Sequence, residues 1–359
     1  MSKDVYKQLL EVMTKRGGPY AGADIPEFFE MVEELFSPEE AEVNNAMPEG
    51  LFLAGDLAKK MKRNEREITE LLEGMANKGL CFAFKMEGIQ YYQAAPFMPG
   101  ILELQFIPGT RTDRDKKLAF MIASYKKEWE KVVGISEVTY PTTRFITVDS
   151  AIQAGSTVHT YDQVNTFIEN SDPISVGTCY CRHAADLRNE DIHGLPTDCC
   201  MQFGPGAQYS IERLGAKKVT KEEAKAVLKR TEEAGLVHMS VNTTDDVGFI
   251  CNCDRWHCVA VKHALAQQKP GLMFNSGFEP RFDLELCTSC ESCLERCPAS
   301  ALSMGKEDIP EVDLDRCFGC AACATGCPVE AISMVNKHGF EAPPKNMQVL
   351  NEAVLASKS

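Results

Sequence analysis

The residues of this sequence most capable of chemistry are its sixteen cysteines, fifteen of which lie between Cys179 and Cys327. Eight of them form two runs with the same spacing. The first run, residues 287–298, reads CTSCESCLERCP, and the second, residues 317–328, reads CFGCAACATGCP. Both follow the pattern C-x2-C-x2-C-x3-C-P. Because the chain opens without an apolar signal segment, we expect a reducing compartment, where clustered thiols are metal ligands and not disulfides.

The spacing within each run suits a cubic iron–sulfur cluster. Intervals of two residues bring successive sulfurs round the same side of a tight turn, so that three thiolates can hold three irons of one cluster. The fourth cysteine lies beyond that turn, and the proline after it redirects the chain. A zinc site also takes four thiolates, but its usual pattern is two separated C-x2-C pairs. The pattern therefore favours iron–sulfur clusters over zinc.

On these two motifs, residues 280–335 resemble the bacterial-type two-[4Fe-4S] ferredoxins, within a multidomain iron–sulfur protein of the kind found in anaerobes. The resemblance implies two [4Fe-4S] clusters with crossed ligation, since in that family the fourth cysteine of each motif binds the other cluster. The ligands implied for the first cluster are Cys287, Cys290, Cys293 and Cys327. The ligands implied for the second cluster are Cys317, Cys320, Cys323 and Cys297.

The two motifs differ in the residues that separate their cysteines. The first motif has polar residues there, such as Ser289 and Glu291, and the second has small or apolar ones, such as Gly319 and Ala321. Hydrogen bonding, solvent exposure and nearby charge set the potential of a cluster. The sequence therefore predicts two clusters of unequal potential.

A second group of cysteines precedes these motifs and resembles the cysteine-rich segment found before ferredoxin modules in some iron–sulfur proteins of anaerobes. Two C-x-C pairs at strand ends would supply four soft ligands if the strand ends meet. A third [4Fe-4S] cluster, a structural zinc, and free or redox-active thiols all stay open as interpretations. The predicted metal ligands of this region are Cys179, Cys181, Cys200, Cys251, Cys253 and Cys258.

The elements that must position these cysteines form an α+β, multidomain fold. Hydrophobic periodicity predicts helices in the first 48 residues and again over 115–133, and a helix followed by a hairpin from Thr220 to Cys251. The predicted domains are a helical and winged-helix-like domain at 1–97, a linker and helix at 98–145, a cysteine-rich α/β middle domain at 146–279, the ferredoxin-like domain at 280–335 and a tail at 336–359.

Residues 50–97 have the element order of a winged helix, with two short helices followed by two strands. Asn64 and Glu67 have the spacing of a helix cap. In a DNA-binding version the second helix enters the major groove, but here four glutamates between residues 65 and 73 oppose the single Arg66. The net charge of −14 also opposes contact with a phosphate backbone. We therefore expect a protein-contact or structural role for this segment, and no nucleic-acid partner.

Our first hypothesis is an iron–sulfur electron-transfer protein or oxidoreductase subunit, whose redox partner is a flavin- or metal-containing oxidoreductase. One alternative is a redox enzyme with a catalytic, cysteine-ligated centre in the middle domain that the ferredoxin clusters feed. Another is a redox-responsive winged-helix regulator. No motif identifies catalytic residues. No apolar run reaches the roughly 18 residues of a membrane span, and the expected location is the cytoplasm.

Overall fold

The structure is a computed structural model that describes residues 2–134, 139–158, 164–245, 247–274 and 276–357. It mixes helices and strands, as expected for the α+β class. The helices are α1 Ser2–Arg16, α2 Pro26–Leu35, α3 Pro38–Ala46, α4 Ala54–Met61, α5 Glu65–Asn77, α6 Leu102–Leu104, α7 Asp113–Val132, α8 Val164–Asn170, α9 Tyr180–Leu187, α10 Gly204–Leu214, α11 Lys221–Glu233, α12 Val259–Leu265, α13 Ser292–Arg296, α14 Ala322–Thr325 and α15 Met347–Ala356.

The strands belong to small antiparallel sheets and to one larger sheet. They are β1 Leu51–Phe52, β2 Cys81–Met86, β3 Ile89–Ala94, β4 Thr143–Ile146, β5 Ile174–Thr178, β6 Asp198–Phe203, β7 Lys217–Val219, β8 Val237–Val241, β9 Phe249–Cys253, β10 Phe278–Phe282, β11 Leu302–Met304, β12 Pro310–Val312 and β13 Ile332–Asn336.

The chain forms two compact units. The first comprises the described parts of Met1–Ile135, Gly177–Thr197 and Pro205–Lys218, and the second those of Ser136–Val176, Asp198–Gly204 and Val219–Ser359. The first unit thus takes in two segments from the sequence region predicted as the middle domain. The division into five domains stays a prediction.

In the first unit, α4, α5 and the hairpin β2–β3 follow one another as predicted. The Asn64 side chain accepts hydrogen bonds from the backbone N–H groups of Arg66 and Glu67, so it caps α5. The buried face of this helix presents Ile68 and Leu72 to the core. The small sheet has the order β1-β3-β2. These are the elements of a winged helix, and membership of that class stays a prediction.

The second unit contains four adjacent strands in the order β4-β8-β9-β6, each antiparallel to its neighbour. Because successive side chains in a strand point to opposite faces, the two faces have separate cores. One face contributes Phe145, Val237 and Met239 to a core that includes residues of α12 and of the ferredoxin-like segment. The other face contributes Met201 and Ile250 to a core that includes residues of α8 and α11.

The ferredoxin-like segment, β10 to β13, is built from two similar halves. In each half a cysteine loop leads into a short helix, α13 in the first and α14 in the second. Strand β10 pairs with β13, and β11 pairs with β12, both antiparallel. The outer pair joins the beginning of the first half to the end of the second, so the two cysteine loops lie on one small scaffold.

Across the part of the chain that the structure describes, none of the helices combines the length and apolar character needed to cross a membrane.

Candidate metal centres

The first cysteine loop runs from Cys287 to the start of α13. Its turn needs two residues in the left-handed region, Ser289 at φ 53° and Glu291 at φ 60°. The carboxylate of Asp283 accepts hydrogen bonds from the backbone N–H groups of Glu285 and Leu286, which fixes the chain just before the first thiol. Local backbone geometry therefore curls this loop so that its sulfurs face a common space.

The second loop, from Cys317 to the start of α14, repeats this geometry with Gly319 at φ 65° and Ala321 at φ 68°. Here the first left-handed position must be glycine for a second reason, because a Cβ on Gly319 would collide with the Oγ of Ser276 and the carbonyl oxygen of Phe278. At the equivalent place Ser289 is exposed. The two loops thus share a backbone shape but not its surroundings.

Two cavities lie at these loops, and each is lined by four cysteines. The three loop cysteines of each motif meet the fourth cysteine of the other motif. The first cavity is lined by Cys287, Cys290, Cys293 and Cys327. The second cavity is lined by Cys317, Cys320, Cys323 and Cys297. These groupings coincide with the two ligand sets that the family resemblance implies.

Backbone N–H groups point at several of these sulfurs. The fourth cysteines of the two motifs have equivalent donors. The Sγ of Cys297 accepts a hydrogen bond from the N–H of Ala301, and the Sγ of Cys327 accepts one from the N–H of Ala331, each at 3.3 Å. Cys317 accepts from the N–H of Gly319 at 3.4 Å. Such donors stabilise negative charge on a ligating sulfur, so the site is built to hold thiolates.

The two cavities differ in exposure and polarity. Cys290 in the first cavity is exposed, and a hydrogen bond from Ser292 lowers its pKa. In the second cavity burial raises the pKa of Cys317 to about 11 and raises that of Cys320 as well. A buried thiol with a raised pKa becomes a thiolate when a metal ion supplies the compensating positive charge. Burial also raises the pKa of Cys293 in the first cavity. The buried thiols of both cavities would therefore depend on a bound metal for their negative charge more than the exposed Cys290 would.

Three contacts from distant parts of the sequence hold the second loop. The carbonyl oxygen of Gly319 accepts hydrogen bonds from the hydroxyls of Thr147 at 2.8 Å and Ser276 at 3.1 Å. The two halves are joined by Arg296, whose Nε donates to the carbonyl of Ala322 at 3.2 Å. Sequence reasoning missed Thr147 and Ser276, because nothing in their local pattern indicates a partner so far along the chain.

Of the predicted middle-region ligands, Cys179 and Cys181 lie in the first unit at the beginning of α9. The neighbouring Arg182 donates from Nε to the carbonyl of Pro196 at 2.9 Å. A ring nitrogen of His183 lies 2.8 Å from the carbonyl of Thr110. The metal-binding role of Cys179 and Cys181 stays a prediction.

The other predicted ligands lie in the second unit. Cys251 and Cys253 end β9, as predicted, and Cys258 directly precedes α12. The Cys253 thiol is within hydrogen-bonding reach of both the Cys251 and Cys258 thiols, and these contacts together with burial raise its pKa. Cys200 lies in β6 beside the fully buried Cys199. The structure therefore brings three of these thiols together.

Among the residues described, no three or more His, Cys, Asp and Glu side chains are grouped so as to hold a single metal ion. This finding covers the eight cysteines around the two cavities too, and it concerns one-ion sites only. Ligands of a cubic cluster surround four irons and need not converge on one point.

Residues 286–331 match the family of the 4Fe-4S dicluster domain. This segment is therefore an iron–sulfur domain of the ferredoxin type, which supports a general role in electron transfer. The match is confined to these residues, which contain both cysteine loops. No curated protein matches the chain.

Proposed function

We propose that this protein carries electrons one at a time through two [4Fe-4S] clusters, as an electron-transfer protein or as a subunit of an oxidoreductase. A bound [4Fe-4S] cluster supplies reversible one-electron chemistry. The observation that carries the proposal is the pair of cavities, each lined by three cysteines of one motif and the last cysteine of the other. The protein's own part is to hold the clusters, to shield them and to set their potentials.

The ligand assignment rests on the chemistry of the donors. Each cavity offers four sulfurs, which is the full set for one cubic cluster. The N–H groups of Ala301 and Ala331 reach the sulfurs of Cys297 and Cys327 in the same way. Each half would lend its last cysteine to the other, and the two clusters would stay close together on the paired strands.

The surroundings of the cavities favour a higher potential for the first cluster. Reduction adds negative charge, which solvent and hydrogen-bond donors stabilise. The first cavity has the exposed Cys290 with Ser292 beside it, whereas the second is lined by apolar residues such as Phe318 and Met334. Electrons would therefore pass from the second cluster to the first, and on to a partner that docks near Cys290.

The test is an anaerobic preparation of the full chain with iron and sulfide analysis and a potentiometric titration followed by electron paramagnetic resonance. The two clusters of the ferredoxin-type domain account for about eight of the bound irons and should give two separate midpoint potentials. A change at Cys290 should alter the higher of the two. A Cys290→Ala variant serves for that assignment, with Cys81→Ala as its control, because Cys81 is buried in β2 of the first unit. A protein without iron after reconstitution would refute the proposal. A single midpoint potential shared by both clusters would refute the predicted difference between their potentials.

A further inference from the structure

The cysteines at the end of β9 lie in the same packed core as the second cavity. That core contains Cys253 and Cys258 together with Cys297 and Cys320. Cys251 and Cys317 pack against it. A group of thiols outside the ferredoxin motifs therefore shares a dry interior with the cysteines of one predicted cluster.

The loop between Cys253 and Cys258 is held in a defined shape. Asp254 is buried, and its Oδ1 accepts hydrogen bonds from the N–H groups of Trp256 at 2.7 Å and His257 at 2.6 Å. These bonds bend the chain back, so that Cys258 returns to the Cys253 thiol. Buried hydrogen bonds thus fix the backbone of the loop that carries Cys258.

The same loop is tied to the ferredoxin motifs. The guanidinium of Arg255 donates to the carbonyl of Cys297 at 3.3 Å and to the hydroxyl of Ser300 at 2.7 Å. Cys297 is the residue that the first motif contributes to the second cavity. Aromatic packing joins the two regions further, since Phe318 in the second loop lies 5.1 Å from Phe145 of β4, measured between ring centroids.

Strand register indicates a fourth thiol. Met201 of β6 lies opposite Ile250 of β9, and continuing that antiparallel register by one residue sets Cys200 opposite Cys251. Directly opposed residues share a face of the sheet, as do residues two apart in a strand. Cys200 therefore belongs to the face of Cys251 and Cys253. Cys199 belongs to the other face, and its backbone carbonyl accepts a hydrogen bond from the Asn252 side chain at 2.6 Å.

We propose that Cys200, Cys251, Cys253 and Cys258 hold a third [4Fe-4S] cluster that exchanges electrons with the second cluster of the ferredoxin-type domain. The proposal rests on the proposed function for its electron donor. In the exchange between this cluster and the one at Cys297, Cys317, Cys320 and Cys323, one cluster would be oxidised by one electron and the other reduced by one. No bond to a substrate forms or breaks.

The test uses the full chain, purified without oxygen, and counts iron, sulfide and zinc per protein. We expect about twelve irons in the unmodified protein and about eight in the Cys253→Ala and Cys200→Ala variants. Cys199→Ala is the matched control, because it alters the adjacent thiol on the opposite face of the sheet, and it should keep about twelve.

The outcomes separate this inference from the function it rests on. About eight irons in the unmodified protein, with or without one zinc, would overturn the proposed third cluster. The proposed function would still stand in that case if the resonance signal of the two ferredoxin clusters is present. Full iron in Cys200→Ala would overturn the fourth-ligand assignment. Because an alanine variant could fail to fold, the resonance signal of the two ferredoxin clusters must persist in each variant that has lost four irons. If the unmodified protein itself lacks the resonance signal of two ferredoxin clusters, the proposed function is refuted.

Discussion

Replacing Gly319 by alanine should release the second cluster selectively. The residue has a φ of 65°, and a Cβ there would collide with the carbonyl oxygen of Phe278 and the hydroxyl of Ser276. An alanine in the left-handed region costs about 1–2 kcal/mol, and forcing atoms into a packed space costs about 1–3 kcal/mol more. The combined strain is about 3 kcal/mol and is relieved when the cluster dissociates from the loop. It corresponds to an increase on the order of 100-fold in the rate of cluster loss.

The internal repeat offers a matched control at Ser289, the equivalent position of the first loop. Ser289 already carries a Cβ, and its hydroxyl donates to the carbonyl of Asp308 at 2.7 Å. Ser289→Ala loses that one hydrogen bond, worth about 1 kcal/mol, so release of the first cluster should rise only about fivefold.

The assay for both variants is the rate at which a chelator removes iron from anaerobically purified protein. Gly319→Ala should show a fast phase of about four irons, and Ser289→Ala should show no fast phase of comparable speed. Equal rates in the two variants, or a wild-type rate for Gly319→Ala, would refute the reasoning from backbone strain.

Three further predictions concern the wiring, the support and the potentials of the sites. Cys297 lies in the first motif, yet Cys297→Ala should abolish the second cluster, whereas Cys293→Ala should abolish the first cluster. If the resonance spectra of both variants lose the same signal, crossed ligation is contradicted. Thr147→Val removes a buried donor to the Gly319 carbonyl, costs about 1 kcal/mol, and should speed chelation of the second cluster about fivefold without changing the first. Ser292→Ala should lower the higher midpoint by up to about 40 mV, the one-electron equivalent of one lost hydrogen bond, and an unchanged or raised midpoint would count against hydrogen bonding as its cause.

Sequence spacing could predict the local parts of this structure. The helix α11, capped by Thr220, and the hairpin that ends at Cys251 and Cys253 follow from patterns of a few residues, and the structure has them at those places. The ferredoxin motifs are equally local, since each loop is set by left-handed residues between the cysteines. The support of the second loop was beyond prediction, because Thr147 is 172 positions from the carbonyl it contacts.

The choice among the middle-region thiols shows the same division. Adjacent residues of a strand point to opposite faces, and only the pairing of β6 with β9 shows that Cys200, and not Cys199, shares the face of Cys251. The structure also places Cys179 in a different compact unit from Cys251, which hydrophobic periodicity does not reveal. Asp254 did carry a local signal, because an aspartate just before a tight loop often accepts hydrogen bonds from the next backbone N–H groups.

The central claim is that eight cysteines of residues 287–327 hold two neighbouring clusters. Electron paramagnetic resonance of the fully reduced, anaerobically purified chain tests it most directly. We expect a signal broadened by magnetic interaction between the two reduced [4Fe-4S] clusters of the ferredoxin-type domain. This interaction should disappear in Cys297→Ala. A spectrum without magnetic interaction between clusters, or a protein that binds no iron under these conditions, would contradict the account.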